Sequence, residues 1–100
     1  MTIARTNDLL DARVTVPQHV VHRAFPTETV VLNLETGRYH GLNPIAGRML
    51  EVLEKLGSVG ESAAQLAREF EQPLERIEHD LGNLCSDLRD RGLVEIAGDA

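Results

Sequence analysis

Apolar and polar residues change their period part-way along the chain. Before Asn43 the apolar residues fall in short alternating runs, and after it they recur at helical spacing. Alternation is what a half-buried strand requires, and the wider spacing keeps one face of a helix apolar. The run VVLNLETGRYHGLN, from Val30 to Asn43, organises the first half. Val30, Leu32 and Leu34 alternate with Val31 and Asn33, which predicts a strand anchored in the core through the first three. Glu35-Thr36-Gly37 predicts a hairpin loop, with Gly37 supplying the left-handed backbone that such a loop needs. Arg38–Leu42 returns as a second strand and stops at Asn43-Pro44, where Asn43 caps a helix and Pro44 fits its first position. His19–Phe25 predicts an earlier strand of poor period, closed by the turn at Pro26-Thr27. Val14–Val16 is extended by propensity and is halted by Pro17.

In the second half, Ile45, Met49, Val52, Leu53 and Leu56 make one apolar stripe, predicting a helix over Pro44–Leu56 that ends at Gly57. Ser62 and Gln65 match a capping box, predicting a second helix from Ala63 to about Glu71. Pro73 opens a third, running to about Arg91, with Leu74, Ile77, Leu81, Leu84 and Leu88 on one stripe and Cys85 beside it. Gly92 ends that helix, and Leu93–Ile96 is an extended tail able to cover the core.

The order β-β-β-α-α-α predicts an α+β fold, a three-stranded antiparallel sheet followed by three helices. It is winged helix-turn-helix-like in its parts. One hundred residues make one domain with room for one modest core. The expected division is a flexible arm over residues 1–13, a single domain over 14–96 and a frayed tail over 97–100.

The topology permits DNA binding; the charge opposes it. The formal net charge is −6. The last helix carries Glu75, Glu78, Asp80, Asp87 and Asp90 against Arg76, Arg89 and Arg91, which would repel phosphate along most of its length. Phe25, Tyr39 and Phe70 are the only aromatics, too few for a base-stacking platform. No nucleic-acid partner is expected, and the acidic balance argues equally against an anionic membrane. No stretch approaches transmembrane length, no signal peptide is evident, and Cys85 is the single cysteine, so a cytoplasmic location is expected.

Catalysis has no support in the pattern. Cys85 sits against an apolar stripe with Asp80 and Asp87 near in sequence, the setting of a packed thiol rather than a nucleophile. His19 and His22 would face opposite sides of a strand, a poor geometry for one metal ion. No serine lies in a triad context, and no glycine run forms a phosphate loop. No metal or cofactor is expected. The open question is the edge of Arg38–Leu42. That strand has no proline and no bulge signal, and an unblocked edge either is covered or accepts a further strand. The arm Met1–Arg13 is one candidate to cover it, and an extended peptide is the other.

Here the residues resemble a family. VVLNLETGRYHGLNPIAGRMLEVL resembles the strand–turn–strand–helix opening of PqqD-like domains, the recognition elements of ribosomally made modified peptides. IEHDLGNLCSDLRDRGLVEI resembles their last helix and its exit, and the first run looks most like the stand-alone B1 proteins of lasso peptide biosynthesis. The resemblance implies a non-catalytic adaptor. It would bind the leader of a precursor peptide as a strand antiparallel to the third strand, in the groove beside the last helix. It would then present the precursor to a separate leader peptidase, a B2-type cysteine protease, before a cyclase closes the ring. Carried over by position, the strand side is Arg38, Tyr39, His40, Gly41 and Leu42, and the helix side is Ile77, Asp80, Leu81, Leu84, Cys85 and Leu88. Asp80 matches an acidic position of the family. Asn33 stands where aspartate is commoner, and Gly82 and Cys85 would widen the groove. The alternatives are a PqqD-type chaperone of another modified-peptide pathway and a winged-helix DNA-binding regulator.

Overall fold

The computed structural model describes residues 10–97. Its elements are β1 (Arg13–Thr15), β2 (Val20–Ala24), β3 (Thr29–Asn33), β4 (Arg38–Leu42), α1 (Pro44–Leu56), α2 (Val59–Phe70), α3 (Leu74–Asp90) and β5 (Glu95–Ala97). β2, β3 and β4 form an antiparallel sheet in that order, and the three helices follow it. This is the α+β arrangement that the hydrophobic pattern predicts. A separate ribbon pairs β1 with β5.

Local chemistry sets the hairpin. The Asn33 side-chain oxygen accepts hydrogen bonds from the Glu35 and Thr36 N–H groups at 2.9 and 3.3 Å. Gly37, at φ 75°, takes the left-handed backbone that most side chains resist, and its N–H donates to the Asn33 carbonyl at 2.7 Å. At the start of α1, Asn43 accepts the Ala46 N–H at 2.8 Å and Pro44 follows, as expected.

Two expectations about these elements are corrected. The N-cap of α2 is Ser58, not Ser62 with Gln65: Ser58 accepts the Glu61 N–H at 3.1 Å, and Ser62 lies fully buried inside the helix. Both quartets fit the capping pattern. Burying Val59, which is 0% exposed, requires the earlier start. Second, β3 turns the opposite face to the core. Thr29, Val31 and Asn33 are buried, Val30 and Leu32 are half-buried, and Leu34 is exposed. Val30, Leu32 and Leu34 form the more apolar phase, while the other phase, Thr29, Val31 and Asn33, has one apolar residue, so the pattern alone points to the wrong face. α1 decides the face by packing Gly47 onto Thr29. A Cβ at Gly47 would lie 2.7 Å from the Thr29 Cβ, closer than side chains approach.

The core lies mainly between the helices. Leu50 and Leu53 of α1, Leu66 of α2 and Leu81 and Leu88 of α3 are at most 1% exposed, and Val31 meets them from the sheet. The ribbon seals the far side. Ala12, Val14, Leu93 and Val94 are all buried, so the end of the expected arm, together with the tail, belongs to the core. Arg13, Val14 and Thr15 pair with Ala97, Ile96 and Glu95, giving both ends of the chain a partner that neither has alone. The rest of the expected arm, residues 1–9, and of the expected tail, residues 98–100, lies outside the described residues.

Candidate peptide-binding site

β4 pairs with β3 on one side, and no strand among the described residues pairs with its other edge. His40 shares a rung with the buried Val31, which puts Arg38, His40 and Leu42 on the helix side and Tyr39 and Gly41 on the outer face. Leu42 is buried, His40 is half-buried, and Tyr39 is 71% exposed.

The chain leaves β4 through Asn43, and a groove opens there between α1 and α3. Its first part, a cleft of about 390 Å³, lies between Asn43, Ile45, Ala46 and Met49 on one wall and Asp80, Asn83, Leu84 and Asp87 on the other. A second part, of about 350 Å³, shares Ile45, Met49 and Asp80 and continues along Ile77 to Phe70, Gln72 and Arg76. Met49 and Ile77 are buried and form an apolar floor, while Ile45 stands 59% exposed at the lip. The rim is charged. Arg76 lies 3.9 Å from Asp80, and Arg91 lies 3.1 Å from Asp87. An apolar floor, a charged rim and an unpaired strand edge fit an extended peptide, whose backbone takes the edge and whose side chains take the floor.

Of the expected helix positions, Ile77, Asp80 and Leu84 line this groove. Leu81, Cys85 and Leu88 do not: each is 0% exposed and packed in the core, because their side of α3 faces inward. Gly82 and Cys85 are buried on that same side, so neither widens the groove. Burial pushes the Cys85 thiol up to about 11. The opposite wall, Ile45, Met49 and Phe70, is not among the positions that the resemblance implies. Ile45 and Met49 share the apolar stripe of α1, and the sequence carries no sign that the first turn of that stripe stands clear of the core.

Other polar groups have structural partners. His22 bonds Glu54 at 2.7 Å and ties β2 to α1. Arg48 holds Glu69 through two donors, at 2.7 and 2.8 Å, and Glu51 at 3.1 Å, which clamps α1 to α2. Among the described residues, no cluster of His, Cys, Asp or Glu could hold a metal ion, and no helix is long and apolar enough to cross a membrane.

The family model of coenzyme PQQ synthesis protein D (PqqD) matches residues 28–94. The chain belongs to the PqqD family. The PqqD match takes in β3, β4 and all three helices, and so both walls of the groove. Among solved structures, the PqqD-family chain is similar to TbiB1 in complex with the TbiA(beta) leader peptide. The TM-score is 0.74 and the identity 27%, covering 81% of this chain and 94% of that one. It also shares its fold with a lasso peptide synthetase B1 complexed with its leader peptide, at a TM-score of 0.73 and 22% identity, covering 83% of this chain and 98% of that one. No curated protein matches the sequence.

Proposed function

We propose that this chain is a non-catalytic, cytoplasmic adaptor of lasso peptide maturation that binds the leader segment of a ribosomally made precursor. The observation that carries this reading is the open edge of β4 leading into the α1–α3 groove, in a fold shared with TbiB1 bound to a leader peptide. The leader adds as a strand beside Arg38–Leu42, so that its N–H and C=O groups complete the ladder. Its apolar side chains lie on Met49, Ile77 and Leu84. Asp80, between the two parts of the groove, takes a leader cation or a backbone N–H. Leu81, Cys85 and Leu88 hold α3 in place behind the groove without touching the peptide. The loaded domain presents the precursor to a separate leader peptidase of the B2 cysteine-protease type, and a cyclase acts afterwards.

Fluorescence polarisation with the labelled leader of the neighbouring precursor gene tests this. Saturable binding is expected, lost in Gly41→Pro and weakened in Asp80→Ala, with both variants melting near the wild type. No leader binding, together with salt-sensitive binding to duplex DNA, would overturn it. The match to the PqqD model favours a second reading, a peptide chaperone of another modified-peptide pathway. In that case the chain would bind the precursor of that pathway and not a lasso leader.

A further inference from the structure

The two parts of the groove differ in charge. The first part, next to the end of β4, has Asp80 and Asp87 on its α3 wall and the uncharged Asn43, Ile45, Ala46 and Met49 on its α1 wall. Two carboxylates therefore line it, and among the described residues no cation does. The lining of the second part adds Arg76 to Asp80. Asp80 and Asp87 are two helical turns apart, about 10 Å along α3. Asn83 stands between them, with its amide nitrogen on His79 at 3.3 Å and its oxygen as a further acceptor. Each carboxylate has an arginine one turn outside the pair: Arg76 lies 3.9 Å from Asp80, and Arg91 lies 3.1 Å from Asp87. The two cations hold the ends, and the span between the carboxylates is left negative. Both carboxylate side chains are about half exposed.

We infer that the leader this chain takes carries an arginine or lysine directly N-terminal to its strand-forming segment, and that Asp80 and Asp87 select it. The inference rests on the adaptor reading above, with the leader antiparallel to β4. A strand running against β4 passes Leu42 and then Asn43 on the way to its own N-terminus, and there it enters the first part of the groove. A long basic side chain suits both walls. Its aliphatic stem lies on Ile45 and Met49, and its charged head reaches Asp80, Asn83 or Asp87. A purely apolar side chain in the same cleft would strip water from the carboxylates and return no hydrogen bond. An acidic one would meet two like charges. Arg76 sets the outer limit, because a cation carried further upstream enters the second part and faces it. At about 3.3 Å per extended residue, the first part spans roughly three or four leader residues. The formal net charge of −6 attracts a basic segment from a distance as well.

The test is fluorescence polarisation with the full chain and the labelled leader of the neighbouring precursor gene. Replacing the basic residue by glutamine is expected to weaken binding about tenfold, and by glutamate further. Moving it about five residues further upstream is expected to weaken binding as much as glutamine does. The double variant Asp80→Lys with Asp87→Lys is expected to bind the natural leader at least tenfold more weakly, and to bind the glutamate leader within about threefold of the natural pair. A merely structural role for the two aspartates would produce the loss without that rescue. The new lysines also face Arg76 and Arg91. If that variant melts early, Asp80→Asn with Asp87→Asn carries the test, through loss of the salt dependence of leader binding. Unchanged affinity for the glutamine leader would overturn the charge selection and leave the adaptor reading standing. So would saturable binding of a natural leader with no basic residue in that stretch. If the wild-type chain binds no leader, the adaptor reading fails first and the selection falls with it.

Discussion

The ribbon and the sheet are both antiparallel β structure, and they treat their edges differently. In the ribbon, β1 pairs with β5 on one side and the α1–α2 junction closes the other. The Val14 N–H donates to the Gly57 carbonyl at 2.8 Å, and the Val59 N–H donates to the Ala12 carbonyl at 3.2 Å. In the sheet, β4 has β3 on one side and no strand on the other among the described residues. The ribbon's neighbours Ala12, Val14, Leu93 and Val94 are at most 3% exposed, whereas Tyr39 of β4 is 71% exposed. The difference separates two tasks. Closing the core falls to the chain ends, which leaves the central hairpin free to carry an unpaired edge.

The comparison breaks most visibly if the ribbon is attacked. Val14→Asp puts an unpaired charge into the core and is expected to cost about 3–5 kcal/mol in urea denaturation. A full-stability Val14→Asp that had lost leader binding would reverse the assignment of tasks. On the other side, Ile45→Asp changes an exposed residue in the first turn of α1, where the helix dipole favours a carboxylate. Leader affinity is expected to fall about tenfold, with stability within about 0.5 kcal/mol of wild type.

Two smaller effects test the packing of Cys85 behind the groove and the Arg48–Glu69 clamp between α1 and α2. The Cys85 thiol titrates near 11 in the fold against an ordinary value of 9.0, so the unfolded chain ionises first. Its contribution to stability is therefore whole below pH 9.0 and is lost as pH rises toward 11, by up to about 1.4 kcal/mol per unit. Denaturation between pH 8 and 10.5 is expected to show this slope, reduced in Cys85→Val. The Arg48 guanidinium holds the Glu69 carboxyl below the usual carboxylate range. Its stabilisation is thus present above that range and lost as pH falls through the folded-state value. Both groups are partly solvated, so Glu69→Gln is expected to cost at most about 1 kcal/mol at pH 7, and less near pH 3.

What the sequence revealed follows the range of the interactions involved. Gly37, the Asn43-Pro44 cap and the whole of α1 were legible, because a turn or a cap is decided by residues a few positions apart. The pairing of the ribbon was not, since Val14 and Ile96 are separated by almost the whole described chain. The buried face of β3 does not follow from the alternation, because its more apolar phase faces outward and the choice lies with Gly47 packed on Thr29. The site divides in the same way. Its strand, Arg38–Leu42, and its wall residues Ile77, Asp80 and Leu84 follow from periodicity and family resemblance. Ile45 and Met49 of α1 and Phe70 at the end of α2 join them only through the packing of those helices against α3.

The ribbon has a consequence for engineering. Arg13 and Ala97 are cross-strand partners, so the first and last strands of the described chain meet about 5 Å apart. A linker from Ala97 to Leu10, which keeps the buried Ala12 in place, would let the chain be cut open instead at the exposed turn of Pro26 and Thr27, giving a circular permutant with the groove untouched. For the same reason the whole unit can be spliced into a surface loop of a larger enzyme without prising that loop apart.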